Sequence, residues 1–232
     1  MLPLRDTEEI ETFPFITISL IVINSFIFAY VYFTAISTPN PDQYLASIYL
    51  KYGLVPTRVL SSPPFGLGYL TFITSIFLHG SWSHLIFNML FLWIFGNNVE
   101  DYLGHFHFLI FYLLSGIFAS LIQILTMGKS SVPVIGASGA IAGTMGAYFL
   151  LFPRSRIRTL VFIFFFITII EIPAPVYLLI WFLSQLFEGL SNFGVASGIA
   201  FFAHIGGFIF GLFYALLIGK HAGRKRRYLY YI

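Results

Sequence analysis

Apolar runs close to the length of a bilayer crossing recur along the chain, at about 14–36, 83–96, 106–127, 136–152, 158–183 and 200–219. A helix needs about 20 such residues to cross the hydrocarbon, so the pattern predicts six transmembrane helices. The second and fourth are short. The fourth starts at Gly136-Ala137-Ser138-Gly139, so its N-terminus is expected to begin inside the membrane and to open onto a water-filled cavity. Between the first two spans, Pro39, Pro41, Pro56, Pro63 and Pro64 rule out one continuous helix, while Tyr69 to Leu78 is apolar enough to lie in the interface or dip into the bilayer. This stretch is expected to be a structured outer loop. Asn97 to Gly104 reads as an inner loop. Glu188 to Gly198, with Gly189, Ser191, Gly194, Ser197 and Gly198, reads as a flexible outer loop and the natural lid. Residues 1–13 carry Arg5, Asp6, Glu8, Glu9 and Glu11, which is acidic where a signal peptide is basic, so the first run is kept as a helix.

Composition makes the membrane reading firm. Of 232 residues, 58% are hydrophobic and only 9% charged, with mean hydropathy +0.89, and a water-soluble fold would lack the polar surface to cover such a chain. The expectation is an all-α polytopic bundle forming a single membrane domain over 1–232. Charge orients it. With both termini cytoplasmic, the inner side carries Arg5, Arg154, Arg156, Arg158, Lys220, Arg224, Lys225, Arg226 and Arg227, against Lys51, Arg58 and Lys129 outside. The basic tail, 220–232, suits anionic headgroups of the lipid bilayer rather than nucleic acid. The chain has no cysteine, which excludes disulfides, zinc thiolates and a thiol nucleophile. No cofactor and no metal cluster is expected.

Three polar groups interrupt the apolar runs. Ser138 lies in a glycine-flanked turn, and His204 lies in Ala203-His204-Ile205-Gly206-Gly207 on another helix; a histidine so placed is well suited to take the serine proton, which points to a hydrolase. His84 and Asn88 are four apart and share a helix face behind His79, with Ser81 as cap, so two side chains converge where donors are able to hold a developing oxyanion. Each feature has a plainer explanation. Gly139 with Gly143, and Gly207 with Gly211, have the spacing common at helix contacts, and a lone serine often bonds back to its own helix. His204, His84 and Asn88 also suit the polar path of a transporter or proton channel. His105 and His107 sit at the interface. The combination of serine, histidine and the His-Asn pair at one depth favours an enzyme.

From about Tyr52 to Gly211 these residues closely resemble the rhomboid family of intramembrane serine proteases, bacterial-type members with a six-helix core. The resemblance rests on Gly136-Ala137-Ser138-Gly139, the spacing of His79, His84 and Asn88, Gly96-Asn97-Asn98-Val99-Glu100-Asp101, and Ala203-His204 followed by Gly207 and Gly211. It implies that Ser138 is the nucleophile and His204 the general base. It also implies that His84 and Asn88 join the Ser138 backbone N–H in an oxyanion hole, and that Glu100 is a structural tie. His79, Gly136, Gly139, Gly207 and Gly211 support the site. The implied substrates are transmembrane segments of other membrane proteins, and the implied setting is the prokaryotic inner membrane. A rhomboid-like protein that binds clients without cutting them usually lacks the serine or histidine, and both are present here. Leu70-Thr71 stand where many rhomboids have Trp-Arg, and Ala142 stands where some have an aromatic that stacks on the histidine.

Overall fold

The computed structural model describes residues 1–232 except 64–65, 129, 164–165, 194–198 and 223–232. The molecule is a helical bundle. Helix α1 (Phe15–Ile36) is followed by three short helices, α2 (Pro41–Tyr52), α3 (Pro56–Ser61) and α4 (Leu67–Thr74). Next come α5 (Trp82–Phe91), a π turn at Leu92–Gly96, α6 (Asn97–Leu103) and α7 (His105–Met127). The chain continues through α8 (Ser138–Leu151), α9 (Ala174–Ser191) and α10 (Phe201–Ala222). Among the described residues α1, α7, α9 and α10 are long and apolar enough to cross a membrane, and Leu67–Phe77 with Trp82–Leu103 makes a further span bent by 81°. With the shorter apolar helix α8 beside them these make a multi-pass membrane protein.

Helix α8 is the axis of the bundle. Its residues Gly139 to Tyr148 are all buried, because Gly139, Ala140, Ala142, Gly143, Gly146 and Ala147 let α7 and α10 approach its backbone, the way helices associate where lipid removes the hydrophobic drive. At 14 residues it is about 21 Å long, about 9 Å short of the hydrocarbon thickness. A helix of this length with one end at a bilayer surface would have its other end within the hydrocarbon. Large side chains such as Phe26, Tyr30 and Phe33 on α1 and Leu125 on α7 remain exposed, as lipid-facing positions do.

Three expectations need correction. The run 158–183 is not one helix: residues Arg156–Ile163 and Phe166–Pro173 form strands β2 and β3, and the helix starts only at Ala174. The run is rich in Ile, Val and Thr, which favour a pleated strand, and Pro173 ends any helix through it. An Arg158–Glu171 ion pair of 2.9 Å joins partners in register across the hairpin. The N-terminus supplies the third strand, β1 (Leu2–Asp6), antiparallel to β2 in the order β1-β2-β3. Second, Asn97 to Gly104 is helical as far as Leu103, closed by Gly104 at φ +79°. Third, Glu188 to Ser191 belong to α9, while Gly194 to Gly198 of the expected lid, like most of the basic tail, lie outside the described residues.

The outer loop is structured, as expected, but its anchor is Arg58. The guanidinium donates to the Leu50 carbonyl and, at 2.6 Å, to the Gly53 carbonyl, and Leu54 pairs with Val134 beside the serine turn. Leu70 is exposed, and Thr71 is buried with its hydroxyl on the Gly68 carbonyl of its own helix, so neither reaches across to hold the loop.

At the opposite end β1 is fastened by Asp6, whose Oδ2 accepts from Asn98 Nδ2 and from the Tyr148 hydroxyl, both at 2.6 Å. Burial pushes the Asp6 carboxyl up from 3.8 to about 6, against the lowering effect of the Tyr148 hydrogen bond and with a further push from Glu8. The folded state thus holds this proton more tightly than the unfolded chain. The contribution to stability is fully present below about pH 3.8 and is lost as pH rises through about 6. Thermal melting in detergent is expected to fall between pH 5 and pH 7, and Asp6→Asn should flatten that dependence. Equal slopes for the two proteins would remove Asp6 as its source.

Candidate active site

The turn into α8 depends on Gly136. Its φ is +127°, its N–H donates to the Ser75 carbonyl at 2.9 Å, and a Cβ there would press on His84 Nε2. Only glycine accepts both the left-handed backbone and that contact. Ala137 then enters the helical region and Ser138 is the first residue of α8, so its backbone N–H has no carbonyl four residues back to take it. Gly139 lies where a Cβ would crowd the Ala119 methyl of α7, which keeps the serine end of α8 close against its neighbour.

His204 approaches from α10. Its Nε2 is 2.8 Å from Ser138 Oγ. The first turn of α10 is held by the Ala203 N–H, which donates to Gln123 Oε1 of α7 at 3.1 Å. On its other side His204 Nδ1 is 2.6 Å from Gln185 Oε1 of α9. The rings of Trp181 and Phe201 lie 6.0 Å and 6.5 Å from the imidazole, at 37° and 86°. Neither stacks flat upon it.

His84 and Asn88 face the same space. The Ser81 hydroxyl caps α5 by accepting from the His84 N–H at 3.1 Å, as expected. The Gly80 N–H points at His84 Nδ1 over 3.4 Å, so that nitrogen accepts and Nε2 carries the proton toward Gly136 and Ser138. Asn88 donates one amide hydrogen to the His84 carbonyl at 2.7 Å and keeps the other. A cavity of about 520 Å³ joins them, bounded by Ser75, His84, Asn88, Ser120, Ser138 and His204 among others. A second groove, about 240 Å³, opens between α5 and α9 past Phe87, Phe91, Trp181 and Gln185 to the same serine and histidine.

Ser138, His204, His84, Asn88 and Gly136 thus converge. The remaining predicted residues support the fold around them. His79 is 2% exposed, 5.1 Å ring to ring from His84, and its carbonyl accepts from the Tyr49 hydroxyl at 3.1 Å. It backs His84 on the side away from the cavity. Glu100 lies at the other end of the bundle, fully buried, accepting from the Ile16 and Thr17 N–H groups, the Thr17 hydroxyl and His105 Nδ1 at 2.6 to 2.8 Å. A carboxylate at the N-terminus of α1 fits the local dipole and ties the first span to α6 and α7. Gly207 and Gly211 line the α8–α10 seam, where a Cβ would run into the carbonyls of Gly139 and Gly143.

Gln185 and Gln123 were not predicted as site residues. Their signal is a lone amide within an apolar helix, since a polar group at membrane depth turns inward to a partner.

Residues 67–221 match the family model described as the Rhomboid domain. The chain is 31% identical to Rhomboid protein 1, mitochondrial, of Saccharomyces cerevisiae, over 68% of this chain and 44% of that protein. It is 43% identical to Rhomboid-like protein 11, chloroplastic, of Arabidopsis thaliana, over 31% of this chain and 25% of the relative. With the Rhomboid protease GluP of Bacillus subtilis it shares 35% identity over 63% of its own length and 25% of the other's. The matched stretches therefore span less than half of each relative.

Proposed function

The chain belongs to the rhomboid family of intramembrane proteases, and we propose that it is an active serine endopeptidase that cuts transmembrane segments of other proteins with a Ser138–His204 dyad. The observation that carries this is the 2.8 Å contact between Ser138 Oγ and His204 Nε2 at the mouth of a membrane-depth cavity. A serine hydroxyl is a weak nucleophile until a base takes its proton, and a neutral imidazole at hydrogen-bond distance does so. In the forward step Oγ attacks the scissile carbonyl as its proton passes to His204 Nε2. The oxyanion meets the Ser138 N–H, His84 Nε2–H and an Asn88 amide hydrogen once that side chain turns in from the cavity wall. His204 then protonates the departing amine, leaving an acyl-serine that water hydrolyses through the same base. Among the described residues the hydrogen-bond partners of His204 are Gln185 and Ser138, both uncharged, which avoids placing a charge at membrane depth, a cost of about 2.5 to 3.5 kcal/mol even on permissive insertion scales.

The groove between α5 and α9 suits entry of an unwound substrate segment from the lipid, since it leads directly to both reacting side chains. Trp181 of α9 lines it, and Trp181 and Phe182 seat α9 against Phe208 of α10, with ring separations of 6.1 and 4.7 Å. Phe187, further along the same helix, is 71% exposed and faces away from the bundle. Arg154, between α8 and β2, with Arg156 and Arg158 in the first residues of β2, favours a cytoplasmic location for that end and for both termini, as in a prokaryotic inner membrane.

A serine-directed fluorophosphonate should label Ser138 and stop cleavage of a transmembrane substrate, while a metal chelator leaves the rate unchanged. Inhibition by chelation that zinc reverses would mark a different enzyme class. His84→Ala and Asn88→Ala should each lower kcat by about 10² to 10³ and leave KM near its original value, because the remaining donors still hold the oxyanion. A raised KM with unchanged kcat for Asn88→Ala would move that residue into substrate recognition.

A further inference from the structure

We infer that Gln185 is the positioning residue for His204, selecting the imidazole tautomer in which Nε2 is free to accept the Ser138 proton. The inference rests on the Ser138–His204 reading above. An amide side chain can turn either way, and only one orientation suits a base: Oε1 toward Nδ1 demands a hydrogen there, whereas the amide nitrogen toward Nδ1 would leave the hydrogen on Nε2, facing the serine. The neighbouring hydroxyl decides the matter. Ser184 Oγ donates to the Trp181 carbonyl at 2.6 Å, so its oxygen serves as the acceptor for Gln185 Nε2 at 3.2 Å. That contact directs Oε1 to His204 Nδ1 at 2.6 Å. A relay thus runs from the α9 backbone through Ser184, Gln185 and His204 to Ser138.

This relay answers how His204 is held where Ala142 leaves no aromatic to stack on it. The hold is a hydrogen bond from the side rather than a ring from below, and an uncharged amide gives orientation without a buried carboxylate. Because Gln185 sits on the helix that also walls the substrate groove, His204 is aligned only while α9 is seated.

The test compares three variants of the full-length protein in detergent on one transmembrane substrate. Gln185→Met, similar in length but without the amide, should lower kcat by about 10- to 100-fold with KM within about twofold. Gln185→Glu, which keeps an acceptor toward Nδ1, should recover to within about threefold of the parent, and Ser184→Ala, which frees the amide to turn over, should fall between them. Nitrogen NMR of labelled histidine should find the His204 proton on Nδ1 in the parent and distributed over both nitrogens in Gln185→Met. Melting temperatures report whether each variant is folded, and the NMR reading does not depend on turnover. Wild-type kcat in Gln185→Met, or a parent His204 with its proton on Nε2, overturns the inference and leaves the dyad intact. Equal losses in Gln185→Met and Gln185→Glu would make Gln185 a packing residue only. Full cleavage by Ser138→Ala would remove the dyad, and the inference with it.

Discussion

Ser138→Ala and His204→Ala should each bring cleavage of a transmembrane substrate to background while leaving the protein folded. Both side chains line the cavity at the end of the α8–α10 seam, so truncating either leaves the glycine packing further along it in place. The expected loss is on the order of 10⁴ to 10⁶ in kcat for either one, and the double variant should be no slower than the singles, because in the proposed mechanism nucleophile and base act in one proton-coupled step. The measurement is single-turnover cleavage, with melting temperature as the folding control. If the losses multiplied, the two residues would be acting in separate steps and the shared mechanism would be wrong.

The second large effect is structural. Gly211→Val and Gly207→Val should leave little folded protein, since a Cβ at either position lands on the carbonyl groups of Gly143 and Gly139 across the seam. Ordinary overpacking costs about 1 to 3 kcal/mol because side chains move aside. Here the obstacle is backbone on α8, the helix that carries Ser138, and relief requires the two helices to separate. Size-exclusion profile and yield should therefore collapse, together with fluorophosphonate labelling of whatever remains. Gly80→Ala is the control: its Cβ would meet only Ile135 Cδ1, at 3.6 Å, and the variant should fold normally. A folded, labelled Gly211→Val protein would refute the account of the seam.

These outcomes separate two ways in which a glycine matters. At Gly136 the backbone dihedral and the approach of His84 make the demand, and both lie within the site. At Gly207 and Gly211 the demand comes from a neighbouring helix, and the site feels it only because α8 must stand where α10 allows. The sequence marks all three as small residues near polar ones, but the physical reasons differ.

The hairpin shows where one-dimensional reading is weakest. A long apolar run with few charges has the same hydropathy whether it coils or pleats, and Arg156 to Pro173 is long enough to be taken for a span. Its β-branched composition and Pro173 argue for strands, but the β1 partner is supplied by residues 2–6, about 150 positions away. Pairing at that separation leaves no local periodicity to read. The same holds for the loop anchor: Arg58 looks like any outer-side cation until Leu50 and Gly53 come round to meet it.

What the sequence by itself determined is the class of the molecule and its candidate groups: a multi-pass helical membrane protein, a short helix opening on a glycine-flanked serine, a histidine on a small-residue helix and a His-Asn pair on one helix face. Those features are local, set by hydropathy over about 20 residues, by glycine dihedrals and by the four-residue spacing of a helix face. Only the tertiary structure decided which groups meet. The pairing of Ser138 with His204, the amide of Gln185 against the far nitrogen of that imidazole, the four hydrogen bonds on Glu100 and the capping sheet all join residues distant in the chain. Hydrogen bonds act within about 3 Å and depend on direction, so they form or fail according to how the helices pack, which no local pattern encodes.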